Sequence, residues 1–291
     1  MYSHHIERTI YKFIQYSCTQ MSTYTDSNKK ITAQSLVSMK KQGEKISMLT
    51  AYDYTTAKIL DEVGIDSILV GDSASNIMAG YATTIPMTLE QMILYAQSVV
   101  RGVKHALVIC DMPFGSYTNP IDGVKNAVRI IQESQCDALK LEGGEEIIET
   151  VKAIIKVGIP VMGHLGLTPQ YINRFGDYRI RAKEKEEARK LVIDAHLLEE
   201  AGCFGIVLEK IPATLAAQVS SEISIPTIGI GGGADCDGQV LVIDDMLGKN
   251  KGFHPKFLRL YADLHTVISD AVSNYISDVK QSKFPNKEEQ Y

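Results

Sequence analysis

The chain has 291 residues, of which 45% are hydrophobic and 22% are charged, and its formal net charge is −5 at pH 7. This composition is ordinary for a soluble globular protein, and the length allows one large α/β barrel or two smaller domains. The negative charge argues against a nucleic-acid partner, and no apolar run approaches the roughly 18 residues of a membrane helix. The five cysteines share no CxxC spacing. They predict reduced thiols in a cytosolic protein and argue against zinc.

The amino-terminal residues 1–28 differ in composition from the rest of the chain. They predict a disordered extension, or a segment upstream of a true start at Met21. A single domain is expected over residues 29–285, followed by a short tail over residues 286–291. The tail follows a long amphipathic helix that the apolar spacing predicts for residues 255–279.

Between these ends, short apolar runs alternate with helical patterns. Strands are predicted at residues 47–52, 67–72, 106–111, 138–142, 160–164, 205–209, 227–230 and 239–243. Helices are predicted near residues 54–63, 88–102, 121–135, 145–157, 184–202 and 213–223. Repeated βα units imply parallel strands, and eight of them fit a (β/α)8 barrel better than an open sheet. The turn after the first strand also has no GxGxxG dinucleotide fingerprint.

Three of the predicted strands deliver an acid at their carboxyl end, namely Asp72, Asp111 and Glu142. The strand tops of a barrel converge, so these carboxylates can meet, and they would repel one another without a cation among them. Oxygen ligands select a hard ion, which predicts Mg²⁺. The alternative is that each acid caps the helix that follows its strand.

Three further residues are candidates for the same site. Lys140 lies on the same strand face as Glu142 and suits an anionic substrate, although a salt bridge to one of the acids is equally compatible. Glu209 ends another apolar strand and is a candidate general base, or else a surface partner of Lys210. His164 ends the fifth strand and is either a structural residue or part of the chemistry. The run of glycines at 229–233 could cradle a phosphate or allow tight packing.

Several segments resemble ketopantoate hydroxymethyltransferases, in order from Thr32 to Pro285. They are residues 49–53 (LTAYD), 70–73 (VGDS), 111–115 (DMPFG), 140–144 (KLEGG), 163–170 (GHLGLTPQ), 229–231 (GIG) and 236–242 (CDGQVLV). The resemblance implies a barrel of the phosphoenolpyruvate/pyruvate superfamily that acts in pantothenate synthesis. Such an enzyme moves a one-carbon unit from 5,10-methylenetetrahydrofolate to 3-methyl-2-oxobutanoate and releases 2-dehydropantoate.

The resemblance also implies roles for individual residues. Asp72 and Asp111 would bind Mg²⁺ and the substrate, with Glu142 supporting the metal through water. Ser73 and Lys140 would hold the keto acid, Glu209 would accept its proton, and His164 would lie beside it. Family resemblance further implies small-molecule substrates, no nucleic acid or membrane partner, and a homodecamer.

Two rival interpretations belong to other classes. A folate-independent lyase of the same superfamily would use the same metal site, but such lyases generally carry a catalytic cysteine on a loop. This chain has no cysteine between Cys136 and Cys203. A non-catalytic scaffold would be expected to lose the acids at the strand ends, and all of them are present.

Overall fold

The computed structural model describes residues 29–291. The predictions for residues 1–28 therefore lie outside the described residues, and the expected domain limits stay a prediction. By its internal contacts the chain divides into Met1–Lys30 and Ile31–Tyr291, and the second unit contains all the elements below. Within the described part, no helix is long and apolar enough to cross a membrane.

Eight parallel strands form a closed barrel in which each strand pairs with its neighbours in the chain and β8 pairs with β1. The strands are β1 (Ile46–Thr50), β2 (Ser67–Val70), β3 (Leu107–Asp111), β4 (Ala138–Glu142), β5 (Val161–Gly166), β6 (Gly205–Glu209), β7 (Thr227–Ile230) and β8 (Gly238–Leu241). All eight predicted strands are present, with ends that differ by a few residues. The predicted (β/α)8 barrel is confirmed.

Helices cover the barrel and link its strands. In chain order they are α1 (Ala33–Gln42), α2 (Tyr54–Glu62), α3 (Ala74–Ile77), α4 (Leu89–Gly102), α5 (Pro120–Ser134), α6 (Ile148–Lys156), α7 (Ile172–Phe175), α8 (Lys185–Glu200), α9 (Ala213–Glu222), α10 (Ile243–Met246) and α11 (Leu264–Lys280). Side-chain caps fix several starts. Asp53 accepts a hydrogen bond from the Thr56 amide before α2, and Thr88 forms a capping box with Gln91 before α4.

The hydrophobic core has two layers because successive strand residues point to opposite sides of a barrel wall. Inside the barrel, side chains such as Met48, Ile109, Met162 and Val207 pack together, and Leu36 of α1 joins this inner cluster. A larger cluster fills the space between the strands and the surrounding helices. The cysteines at 110, 136, 203 and 236 are buried and free. On β4, Leu139 and Leu141 belong to the outer layer, so Lys140 and Glu142 face the interior.

The carboxyl-terminal helix is shorter than the sequence pattern predicts. Residues 255–263 are not an α-helix, and α11 begins only at Leu264. Two competing contacts explain this: the Asp263 carboxylate accepts a hydrogen bond from the Thr266 amide and caps α11, while the Tyr261 amide donates to the Met246 carbonyl. The segment before the cap is thus tied to α10 instead of continuing the helix.

Candidate active site

A cavity of about 390 Å³ opens at the carboxyl end of the barrel. All seven residues singled out from the sequence line it: Asp72, Ser73, Asp111, Lys140, Glu142, His164 and Glu209. They come from the ends of five different strands, β2 to β6, which parallel pairing brings to one rim. A second cavity of about 470 Å³ lies beside Phe175 and Arg181, and none of the seven residues lines it.

The three strand-end acids lie deep in this cavity. Asp72, Asp111 and Glu142 are 4%, 2% and 1% exposed, and the Asp72 amide donates to Asp111 Oδ2 at 3.0 Å. Burial, then the charges of Glu142 and Asp111, hold the pKa of Asp72 well above its ordinary value. Burial also raises the pKa of Glu142 to about 7. None of these acids caps a helix, because Ser73, Asn119 and Gly144 hold the positions before the following helical turns.

Lys140 is the buried cation of the site. Its Nζ lies 3.1 Å from Asp111 Oδ1, so the salt bridge considered as an alternative is present. Burial by itself would lower the pKa of Lys140, but the charges of Asp111, Glu142 and Asp72 outweigh burial and raise it. Lys140 is therefore an ammonium ion at neutral pH, and it still lines the cavity.

His164 connects the acid cluster with Glu209. Its Nδ1 lies 3.1 Å from Lys140 Nζ, and its Nε2 lies 3.3 Å from Glu209 Oε2. Burial and the charge of Lys140 lower the pKa of His164. Because an ammonium can only donate, Nδ1 of the neutral ring must accept, and the ring proton then lies on Nε2. Among the described residues Nε2 has no hydrogen-bond partner, so its 3.3 Å approach to Glu209 Oε2 is a close contact without hydrogen-bond geometry.

Glu209 lies on the other side of the His164 ring from Glu142, whose Oε1 is 3.4 Å from His164 Nδ1. It ends β6 one step after the outward-facing Leu208, and its side chain is 17% exposed. Lys210 was considered from the sequence as the partner of Glu209. Its ammonium group instead donates a hydrogen bond to the Tyr178 carbonyl. The carboxylate of Glu209 is therefore turned to His164 and the cavity.

Ser73 and the glycine run also have defined surroundings. Ser73 Oγ lies 2.8 Å from the Tyr52 hydroxyl, inside the cavity wall. In the glycine run, a Cβ at Gly233 would lie 2.6 Å from the Ala213 side chain, so close packing accounts for that glycine.

Sequence reasoning missed two residues that organise the acids. Gln170 donates from Nε2 to Asp72 Oδ2 at 2.8 Å and to the Met112 carbonyl at 2.9 Å, and its amide donates to Glu142 Oε2 at 2.9 Å. The Tyr117 hydroxyl lies 2.6 Å from Gln170 Oε1. Gln170 ends the GHLGLTPQ segment, so the motif contained its signal; Tyr117 has no comparable sequence signal.

The chemistry of the acid cluster fits a hard divalent cation. Three buried carboxylates face a single ammonium. Burial raises the pKa of Glu142, and burial followed by the charges of Glu142 and Asp111 raises the pKa of Asp72. Among residues 29–291, no group of three or more His, Cys, Asp or Glu side chains is placed so that it could hold a metal ion by itself. Mg²⁺ commonly takes one or two protein carboxylates and fills its remaining positions with water or substrate, so this arrangement remains suitable.

Comparison with known proteins identifies the family. The family model described as ketopantoate hydroxymethyltransferase matches residues 30–287. The chain belongs to this family. A 3-methyl-2-oxobutanoate hydroxymethyltransferase of Bacteroides fragilis is 66% identical over 268 residues, which is 92% of this chain and 98% of the relative. The Flavobacterium johnsoniae protein of the same name is 60% identical over 272 residues, 93% of this chain and 100% of the relative.

Solved structures share the fold of this ketopantoate hydroxymethyltransferase family member. A 2,3-dimethylmalate lyase of the PEP mutase/isocitrate lyase superfamily matches with a TM-score of 0.57 at 16% identity, over 89% of this chain and 91% of the lyase. A phosphonopyruvate hydrolase in complex with oxalate and Mg²⁺ matches with a TM-score of 0.58 at 11% identity, over 88% and 92%. At such identities the likeness concerns the fold alone, and it agrees with the (β/α)8 barrel described above.

Proposed function

We propose that this chain transfers a hydroxymethyl group from 5,10-methylenetetrahydrofolate to 3-methyl-2-oxobutanoate, giving 2-dehydropantoate in pantothenate biosynthesis. The observation that carries the proposal is the gathering of three buried acids, Lys140 and Glu209 around one cavity. The names of relatives that are 58–66% identical support the same reaction.

In this proposal Asp72 and Asp111 hold Mg²⁺, and Glu142 supports the ion through a water molecule. Bound there, Mg²⁺ would supply a Lewis acid that stabilises negative charge on the keto oxygen of the substrate. The burial of three carboxylates beside one ammonium supports the assignment, because a divalent cation would offset the charge that Lys140 alone does not. Gln170 fixes the orientation of Asp72 and Glu142 through its hydrogen bonds.

The remaining residues bind and deprotonate the keto acid. Lys140 offsets the negative charge of the substrate, and Ser73 binds it from the Tyr52 side of the cavity. Glu209 accepts the proton from C3, and His164 lies beside it, with Nε2 3.3 Å from Glu209 Oε2. The resulting enolate carbon forms the new bond to the one-carbon unit of the folate. Water supplies the hydroxyl oxygen of the product, and tetrahydrofolate leaves.

The second candidate, a folate-independent lyase, has no specific observation in its favour. The solved 2,3-dimethylmalate lyase shares the barrel at only 16% identity. The described loops after β4 and β5 also contain no cysteine, the residue that such lyases generally use.

We further propose a cytosolic homo-oligomer, with the decamer implied by resemblance as its assembly. The four buried, free cysteines suit a reducing compartment. The oligomer is supported by α11, on which Val267, Val272, Tyr275 and Ile276 are 61%, 50%, 57% and 46% exposed. Apolar side chains grouped in this way on one helix usually belong to an interface.

The decisive experiment is an assay of purified protein for 2-dehydropantoate, coupled to its reduction. Product formation should require Mg²⁺, 3-methyl-2-oxobutanoate and 5,10-methylenetetrahydrofolate together. A protein that forms product without folate, or that cleaves a larger acid under these conditions, would replace this proposal with the lyase.

A further inference from the structure

The active-site cavity is larger than the keto acid needs. Its volume of about 390 Å³ lies in the range of sites for drug-sized ligands, whereas 3-methyl-2-oxobutanoate has five carbons. Besides the seven polar residues, the cavity is lined by Ile77, Tyr178, Phe253, Phe257 and Leu258. We call these five residues the outer wall. Their aromatic and aliphatic side chains suit a flat, largely apolar ligand.

One carboxylate lines the same cavity apart from the seven residues already described. Asp245 belongs to α10, directly after β8, and it is only 9% exposed. The start of α10 is fixed at the barrel rim by the Ile243 amide, which donates to Thr50 Oγ1 of β1 at 3.1 Å. Asp245 is therefore held by the scaffold on the β8–β1 side of the barrel rim, whereas the metal candidates follow β2, β3 and β4.

Asp245 lacks the partners that a buried carboxylate normally has. Its Oδ1 is enclosed and has no hydrogen-bond partner among residues 29–291. The adjacent Asp244 differs, because its Oδ1 lies 2.6 Å from Lys249 Nζ. Burial, followed by the charge of Asp244, raises the pKa of Asp245 to about 6. A buried carboxylate oxygen without a donor costs free energy, and a ligand that supplies a donor would remove that cost.

We propose that Asp245 binds the 2-amino-4-oxopyrimidine edge of a reduced pterin, with the outer wall covering its flat rings. That edge carries an amino group and a ring N–H side by side, and these two donors match a carboxylate as a guanidinium does. The inference rests on the proposed function, whose one-carbon donor is a reduced folate. It assigns to Asp245 the recognition of that donor, whereas Asp72, Asp111 and Lys140 serve the keto acid.

The test uses the full chain and tetrahydrofolate as the probe. Calorimetry with Mg²⁺ and 3-methyl-2-oxobutanoate present compares wild-type protein, Asp245→Asn and the control Asp270→Asn on the exposed face of α11. Loss of a charge-assisted pair should weaken tetrahydrofolate binding about 10- to 100-fold in Asp245→Asn and leave the control at the wild-type affinity. A titration of Mg²⁺ and keto acid alone checks that the acid cluster of each variant is intact.

A second measurement changes the ligand, so its first comparison uses wild-type protein alone. A 2-desamino analogue of tetrahydrofolate lacks one of the two donors, so wild-type protein should bind it about 10-fold or more weakly than tetrahydrofolate. Asp245→Asn should bind the two ligands with similar affinity. The substitution and the missing amino group remove the two sides of one interaction, so their effects should not add. Equal affinity of wild-type protein for both ligands would overturn the assignment, and so would wild-type affinity for tetrahydrofolate in Asp245→Asn.

Failure of the role proposed for Asp245 can be distinguished from failure of the proposed function. Exchange of the C3 proton of 3-methyl-2-oxobutanoate with deuterated water requires no folate, so its absence in wild-type protein would refute the enolate chemistry. Wild-type protein that exchanges this proton but does not bind tetrahydrofolate would overturn the role of Asp245 and leave the enolate chemistry standing.

Discussion

The Gln170 side-chain amide donates to Asp72 Oδ2 at 2.8 Å, while the backbone amide of the same residue donates to Glu142 Oε2 at 2.9 Å. One residue from the loop after β5 thus orients acids that follow β2 and end β4. Gln170 is 3% exposed, and the Tyr117 hydroxyl 2.6 Å from its Oε1 fixes which end of the amide faces Asp72.

The first prediction concerns this link. Gln170→Leu should weaken Mg²⁺-dependent binding of 3-methyl-2-oxobutanoate about 10- to 100-fold, because it leaves the Asp72 carboxylate without its donor. Calorimetry of the ternary complex measures the change, with the exposed Gln218→Leu on α9 as the control. Unchanged affinity in Gln170→Leu would mean that Asp72 needs no orientation by Gln170.

The second prediction tests the metal ligands. Asp111→Asn keeps an acceptor for the Asp72 amide but removes a charge, so Mg²⁺ and keto-acid binding should weaken together. Titrations of Mg²⁺ with and without keto acid measure both effects, and Asp270→Asn is the control. Normal Mg²⁺-dependent keto-acid binding in Asp111→Asn, and likewise in Asp72→Asn, would remove these residues from the metal site.

The third prediction concerns the base. Glu209→Gln should still bind Mg²⁺ and 3-methyl-2-oxobutanoate, because Glu209 is separated from the acid cluster by the His164 ring, whose Nε2 is 3.3 Å from Glu209 Oε2. Exchange of the C3 proton with deuterated water should slow about 10²–10⁴-fold, as loss of a general base typically does. NMR follows the exchange, and Glu200→Gln at the end of α8 is the matched control. Wild-type exchange in Glu209→Gln would make another group the base, with His164 the next candidate.

The fourth prediction is a pH dependence. Burial raises the pKa of Glu142 to about 7, so its carboxyl is mostly protonated below pH 7 and carries its charge above it. Mg²⁺ affinity should therefore rise as the pH increases from about 6 to 8, with release of a proton on binding. Titrations in two buffers of different ionisation enthalpy count the protons, and Glu142→Gln should reduce the count.

The raised pKa of Glu142 also predicts how the stability of the folded protein changes with pH. A carboxyl with a raised pKa in the folded state favours folding less as the pH rises from its unfolded pKa through about 7. Without Mg²⁺, the melting temperature of Glu142→Gln should fall less between pH 5 and pH 8 than that of wild-type protein. An identical decline in both proteins would show that Glu142 does not carry this effect.

The fifth prediction tests the proposed homo-oligomer. Replacing Val272 and Ile276 by Asp places charges among the exposed apolar residues of α11, which should disfavour association. Light scattering after size-exclusion chromatography should then give a smaller particle mass than for wild-type protein. Asn274→Asp on the same helix adds one charge at a polar position and is the control. An unchanged mass for the double variant would exclude α11 as an essential interface.

The sequence by itself determined the barrel and the positions of its principal site residues. Strand and helix periods are local properties, and the alternation along β4 already placed Lys140 and Glu142 on one face. Parallel strands also bring their carboxyl ends to one rim, so the acids at 72, 111 and 142 could be expected to meet. The family motifs supplied the reaction, which periodicity does not encode.

Only the tertiary structure decided which polar groups pair. The tie between Gln170 and Asp72 spans residues far apart in the chain, and no local pattern fixes such a contact. The same is true of His164 between Lys140 and Glu209 and of the missing partner of Asp245. The prediction that the carboxyl-terminal helix begins at residue 255 was wrong for a related reason. Their apolar spacing suits a helix, but contacts with α10 and the Asp263 cap compete with helical hydrogen bonds and prevail.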